Sequence, residues 1–259
     1  MWWCYKVGFF DRKRIINSFD DCHFCKYQKD IYHFKIRNNL EIIVNELLGE
    51  IVSEYFKLDT VKTKLYKNHC WDGYVLMTKM FDVKGYDVIK LSPEYFTNVK
   101  IKDNVGLDNL KRLENIKYKD KERKYNVELL KLSLKKMIIR DLITNQTDRH
   151  ENNFLFKVSK NEVIMLPLFD YEHSFFHDRY EHFYNLFDFD LNLKKVIKMI
   201  RIDDEFQELL YRAMDLNIYK IIYQLQDEYP VVLHHSDMVK YSRIISDKKE
   251  QIKKYKLIR

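Results

Sequence analysis

The spacing of apolar and polar residues changes period several times along the chain, and each change marks an element. Ile31–Arg37 reads Ile-Tyr-His-Phe-Lys-Ile-Arg, an alternation of β-forming and polar residues that predicts a strand. Asn38-Asn39 interrupts it. From Leu40 to Leu58, apolar side chains recur at 40, 43, 44, 47, 48, 51, 52, 55 and 56, the spacing of a helix. Thr60–Lys67 and Tyr74–Met80 read as two further strands. Lys84–Asp120 is polar and irregular. Asn126–Thr144 predicts a second long helix, with Leu129, Leu130, Leu134, Met137, Ile138 and Leu142 close to one face. Phe154–Val158 and Glu162–Leu168 are short strands on either side of the turn-like Ser159-Lys160-Asn161. From Leu191 onward the pattern is that of several helices.

These elements predict an α+β protein. A small mixed sheet with one long helix comes first, and a larger, mainly helical region follows. The change in pattern after Phe81 places the expected boundary there, with residues 1–81 as a first lobe and 82–259 as a second. A chain of 259 residues accommodates such a pair, and a hydrophobic content of 46% is enough for a sizeable core. Only 5 Gly and 3 Pro interrupt the chain, in keeping with the helical bias.

Charge selects little. The 46 basic and 39 acidic residues leave +7, a mild excess compatible with ATP, acidic partners or nucleic acid that selects none of them; a nucleic-acid partner is not expected. Of the four cysteines, Cys22 and Cys25 form a C-x-x-C, and His69-Cys70 follows much later. Adjacent residues chelate poorly, so free thiols in a reducing cytoplasm are expected ahead of a zinc site. No run approaches a membrane span, and the start lacks a signal pattern. A cytoplasmic protein is expected, with a secreted effector as the alternative.

The stretch that carries chemistry is Thr147-Asp148-Arg149-His150-Glu151-Asn152-Asn153, between the second long helix and the strand pair. Further on, the apolar Leu166-Pro167-Leu168-Phe169 ends in Asp170. Phosphoryl transfer needs an acid to accept the hydroxyl proton, oxygen ligands for magnesium, and a cation against the phosphates. Asp148 suits the first role, and Asn153 and Asp170 suit the second. Lys35 within the Ile31–Arg37 strand suits the third, with Glu46 on the following helix to hold it. His150 is read as orienting the loop, and Arg149 as contacting phosphate or pairing with a carboxylate such as Asp141.

Asp148-Arg149-His150-x-x-Asn153 resembles the catalytic loop of phosphoinositide kinases and of HipA-like and CtkA-like atypical serine/threonine kinases. Asp170 is similar to their metal-binding Asp. Phe34-Lys35-Ile36 and Asn45-Glu46-Leu47-Leu48 resemble their ATP-lysine strand and helix, and Tyr74–Phe81 the strand leading to the adenine hinge at Met80. The resemblance covers about residues 30–200. It implies a bilobal protein-kinase-like fold, ATP and Mg2+ as cofactors, and Ser/Thr of a protein as acceptor. Autophosphorylation and an antitoxin or other regulatory partner, as in bacterial toxin–antitoxin pairs, are also implied. The sequence departs from classical kinases in having no glycine-rich loop, so that any phosphate-covering segment is expected within residues 10–30, and in having Tyr171-Glu172 after Asp170. A phosphoinositide-type lipid kinase and a non-catalytic pseudokinase or binding module are the alternative readings.

Overall fold

The computed structural model describes residues 22–27, 30–68, 73–80, 87–89, 96–97, 117–118, 128–146, 149, 153, 155–158, 162–175 and 200–259. Four strands, β1 (Cys22–Tyr27), β2 (Asp30–Arg37), β3 (Thr63–Asn68) and β4 (Gly73–Lys79), form an antiparallel sheet in the order β1-β2-β4-β3. Lys35 of β2 is opposite Cys22 on one side and Leu76 on the other, so it lies in an interior strand. β1, which holds both Cys22 and Cys25, was not anticipated from the sequence pattern; His69, Cys70 and the segment around Arg12–Ser18 lie outside the described residues.

Helix α1 (Leu40–Tyr55) connects β2 to β3. The Asn39 side chain caps its start by accepting from the Glu41 N–H at 2.9 Å. The helix ends three residues before the expected Leu58. Lys57 adopts a left-handed φ of 55°, and the Leu58 N–H returns to the Ser53 carbonyl at 3.0 Å, which closes the last turn. Every residue from Ile43 to Ser53 is buried. A helix buried on all sides belongs to the core, and any polar group on it must find a partner there.

Strand pairing begins at Thr63 because Asp59–Val61 pairs elsewhere. The Val61 N–H donates to the Leu168 carbonyl at 3.0 Å, and the Leu168 N–H to the Asp59 carbonyl at 2.8 Å, a parallel bridge that anchors the segment leading to Asp170. That segment leaves a small sheet of β5 (Asp87–Ile89), β8 (Phe156–Val158) and β9 (Val163–Met165), in the order β5-β8-β9. β9 is shorter than the expected Glu162–Leu168 because Pro167 has no N–H with which to extend the ladder. β6 (Phe96–Thr97) and β7 (Lys117–Tyr118) form a two-stranded pair.

Helix α2 (Glu128–Ile143) precedes the Asp148–Asn153 stretch. Helices α3 (Asp204–Asp215), α4 (Ile218–Glu228) and α5 (His235–Lys254) complete the chain. One hydrophobic core joins Ile43, Leu47 and Val52 of α1, Leu134 and Ile138 of α2, Leu210 of α3, Ile222 of α4 and Ile245 of α5. The molecule is a mixed α+β protein of small sheets and long helices. No helix among the described residues is long and apolar enough to cross a membrane.

Candidate active site

Lys35 is buried, and its ammonium reaches three carboxylates. Asp170 Oδ1 is at 2.9 Å, Glu172 Oε1 at 3.2 Å and Glu46 Oε1 at 3.6 Å. Strand alternation explains part of this convergence: His33, Lys35 and Arg37 are two apart and share one face of β2. Arg37 uses the same face to fork onto Glu172, Nε to Oε1 at 3.0 Å and Nη2 to Oε2 at 3.1 Å. Glu46 comes from the second turn of α1, and its other oxygen accepts the Tyr171 N–H at 2.5 Å. One carboxylate thereby links the lysine strand to the Asp170 segment.

Asp170 adopts φ 62°, in the left-handed region that Asp tolerates better than most residues. The Gln146 side chain donates to its carbonyl at 3.2 Å, and Tyr171 turns inward behind it. The Tyr171 ring has the Arg140 guanidinium 4.4 Å from its centroid and the Arg149 guanidinium 5.5 Å away. Its hydroxyl meets Thr60 Oγ1 at 2.7 Å. Arg140 is fully buried, bonded to Asp141 at 2.7 Å and to Ser174 at 3.1 Å, while its Nε has no hydrogen-bond partner.

Arg149 does not reach outward. Its Nε and Nη2 donate to Asp141, at 3.0 and 3.3 Å, the carboxylate pairing anticipated from the sequence. Nη1 donates to two carbonyls, Asn153 at 3.2 Å and Phe169 at 3.1 Å. One guanidinium therefore sets the main chain at Asn153 against the main chain next to Asp170.

Electrostatics follow from burial and from this crowding. Burial opposes the Lys35 charge, but Glu46, Asp170 and Glu172 outweigh it and raise its pKa above the ordinary lysine value. Burial also raises the Glu46 pKa; Lys35 pulls it down, but the neighbouring Asp170 and Glu172 charges add to the upward shift. For Asp170 burial acts upward too, yet Lys35 prevails and the net shift is downward. His33 falls to about 4, through burial and then repulsion from Lys35. Glu46, Asp170 and Glu172 form the one group of three potential metal-ligating side chains among the described residues. Asp170 is the most open of them, its side chain 31% exposed against 5% and 12%. An all-oxygen set with one solvent-facing carboxylate suits a hard divalent cation.

Of the residues singled out in the sequence, the fold brings Lys35, Glu46 and Asp170 together. Asn153 is buried, and its carbonyl joins the group through Arg149. Met80 follows β4 directly and is half-buried. Asp148 and His150 lie outside the described residues. Sequence reasoning did not find Glu172 and Arg37. The available signal was a matched spacing: Lys35 and Arg37 are two apart on a strand, as are Asp170 and Glu172.

No family model and no curated protein matches the sequence. Solved structures do. The proinflammatory kinase CtkA of Helicobacter pylori is 16% identical with a TM-score of 0.58, over 91% of this chain and 93% of that one. HipA of Shewanella oneidensis MR-1, solved with HipB and its operator DNA, is 11% identical with a TM-score of 0.56, over 96% and 67%. Nearly the whole chain superposes on both, and it shares their fold.

Proposed function

We propose that this protein is a phosphotransferase that uses Mg2+ and ATP to phosphorylate Ser or Thr of a protein, itself included. The observation that carries the proposal is the Lys35 ammonium held by Glu46 and Asp170, two acids from a helix and a distant loop. On a kinase-like fold that grouping is what a phosphate-binding lysine requires. In this reading residues 1–81 and 82–259 form two lobes with the nucleotide between them, and Met80 lies near the adenine.

Lys35 binds the α- and β-phosphates once nucleotide competes for its charge, and Glu46 keeps it in place. Asp170 and Asn153 are the residues that would hold magnesium, which when bound neutralises charge building on the phosphates. Asp148 accepts the proton of the attacking hydroxyl as its oxygen bonds to the γ-phosphorus. The bond from that phosphorus to the bridging oxygen breaks, and ADP leaves. His150 orients the loop. Because the HipA structure was solved with HipB, an antitoxin-like regulatory partner belongs to the same proposal.

The test is incubation with labelled ATP and magnesium, offering the protein itself, a mixture of protein acceptors and phosphoinositide vesicles in parallel. Label on Ser or Thr, lost in Asp148→Asn and Asp170→Asn, is the expected result. Transfer that survives both substitutions refutes the assignment, and label only on lipid replaces the protein acceptor with an inositol headgroup.

A further inference from the structure

The last helix reaches the Lys35 cluster from behind. α5 is amphipathic, and Tyr241, Ile244, Ile245, Lys248 and Ile252 form its buried face. Tyr241 is 2% exposed and touches both elements that deliver acids to Lys35. Its hydroxyl donates to Asn45 Oδ1 at 3.1 Å, next to Glu46 on α1. Its ring meets Phe175 edge-on, with centroids 5.5 Å apart and planes at 90°, in the turn that follows Asp170. Asn45 is completely buried, and its amide nitrogen donates onward to the Glu172 carbonyl at 3.3 Å. Lys240, the neighbour of Tyr241, pairs with Glu41 one turn earlier on α1 at 2.5 Å.

We propose that Tyr241 and Asn45 are positioning residues, through which the C-terminal helix holds Glu46 and the Asp170–Glu172 segment at one separation around Lys35. Asn45 is suited to this because an amide both accepts and donates. It takes the tyrosine proton on one side and gives its own to the loop on the other. An ionised aspartate in the same place would accept the tyrosine proton but have no donor for the Glu172 carbonyl. The α1 helix can neither rotate about its axis nor slide past residues 171–175 without breaking the Tyr241–Asn45–Glu172 path. Since Glu46 follows Asn45 directly, its placement against Lys35 depends on a helix about 190 residues further along the chain.

The proposal rests on the kinase reading only for its functional consequence, so it is tested by two readouts. The first is the acylation rate of Lys35 by an amine-reactive succinimidyl ester, followed by mass spectrometry on the intact folded protein. The second is phosphoryl transfer at saturating ATP. Tyr241→Phe keeps the ring and removes only the hydroxyl, leaving a buried acceptor unpaired. Lys35 labelling is expected to rise about ten-fold, as for a lost hydrogen bond within a buried network. Ile252→Val, on the same face of α5, thins the packing without touching the path, and its labelling stays within about two-fold of wild type. Combining Tyr241→Phe with Asn45→Ala should raise labelling no more than Asn45→Ala alone, because both remove one path. Labelling of Tyr241→Phe equal to that of Ile252→Val, or multiplicative effects in the double variant, overturns the proposal. If labelling behaves as expected while the wild type transfers no phosphate, the positioning role stands and the kinase reading falls. If labelling and transfer change together, both stand.

Discussion

Replacing Gly49 by alanine sets two effects of opposite sign against each other. Gly49 lies inside α1, three residues after Glu46 and on the same side of the helix. In an exposed helix the change would stabilise by about 1 kcal/mol, because glycine is the poorer helix former. Here an added Cβ would lie 2.4 Å from Tyr171 Cβ, 2.7 Å from Tyr171 Cγ and 2.6 Å from Arg140 Nη2. Carbon atoms pack at roughly 3.5 Å or more, so the helix and the Tyr171 segment must separate by about 1 Å. The nearest atom is bound directly to the Tyr171 main chain, so no side-chain rotation relieves the clash. Overpacking of this kind costs about 3 kcal/mol, the upper part of its usual range, and about 2 kcal/mol remains after the helix gain. For a domain of this size that lowers Tm by about 4–8 °C. The same displacement opens the 2.5 Å bond from the Tyr171 N–H to Glu46, so on the proposed function ATP affinity is expected to fall as well. Urea denaturation of Gly49→Ala beside wild type, with nucleotide titration on the folded fraction, measures both effects. A variant as stable as wild type, or more stable, would show that the approach of α1 to Tyr171 is not tight and would remove the steric argument.

Three other substitutions probe different parts of the same arrangement. Lys35→Met keeps the buried stem but leaves Glu46, Asp170 and Glu172 facing one another; it should abolish transfer and cost about 3 kcal/mol, the usual price of stranding a buried charge. Undiminished stability in urea would mean the acids are already neutral. Arg149→Lys cannot reproduce four donated bonds from one fork, and it should lose about 2–4 kcal/mol in the same assay and raise the magnesium concentration needed for half-maximal transfer. A loss below about 0.5 kcal/mol would remove its clamping role. Glu50, between the Thr63 N–H and the Tyr229 hydroxyl, is raised by burial from 4.5 to about 7. The native state then holds a proton that the unfolded chain has released. Its contribution is complete below pH 4.5 and disappears as pH rises to about 7, a decline of up to about 3 kcal/mol. His33, lowered from 6.5 to about 4, runs the other way: its contribution is complete above pH 6.5 and is lost as pH falls to about 4. Glu50→Gln removes the first slope and leaves the second, so stability curves of the two proteins must converge or diverge across this window. Parallel curves would show that Glu50 is not protonated in the native state.

Much of the secondary structure was legible because it depends on local periodicity. The strand expected at Ile31–Arg37 forms as Asp30–Arg37, and the helix expected from Leu40 forms with its cap at Asn39. The helix expected at Asn126–Thr144 forms as Glu128–Ile143, and helices fill the chain from Asp204. Element ends were less legible. Lys57 stops α1 by taking a left-handed backbone, and the Leu168 carbonyl draws Val61 away from β3 before the strand begins. Both depend on partners distant in sequence.

At the site the division is the same. Residue type and order along the chain were enough to single out Lys35, Glu46 and Asp170, because charge chemistry belongs to the side chain itself. Their separation, the sharing of one ammonium among three acids, and the resulting pKa shifts arise only when a strand, a helix and a loop 135 residues from Lys35 come together. The sequence carried no sign that Gly49 or Tyr241 bears on that lysine, and it placed Asn45 only beside Glu46 in the helix that resembles the ATP-lysine helix. Asn45 looks like an ordinary helix residue, Gly49 like a weak point in a helix and Tyr241 like a core aromatic. Each matters through what lies within about 3 Å of it, and such neighbours are set by the packing of α1 against Tyr171 and α5, which no local pattern encodes.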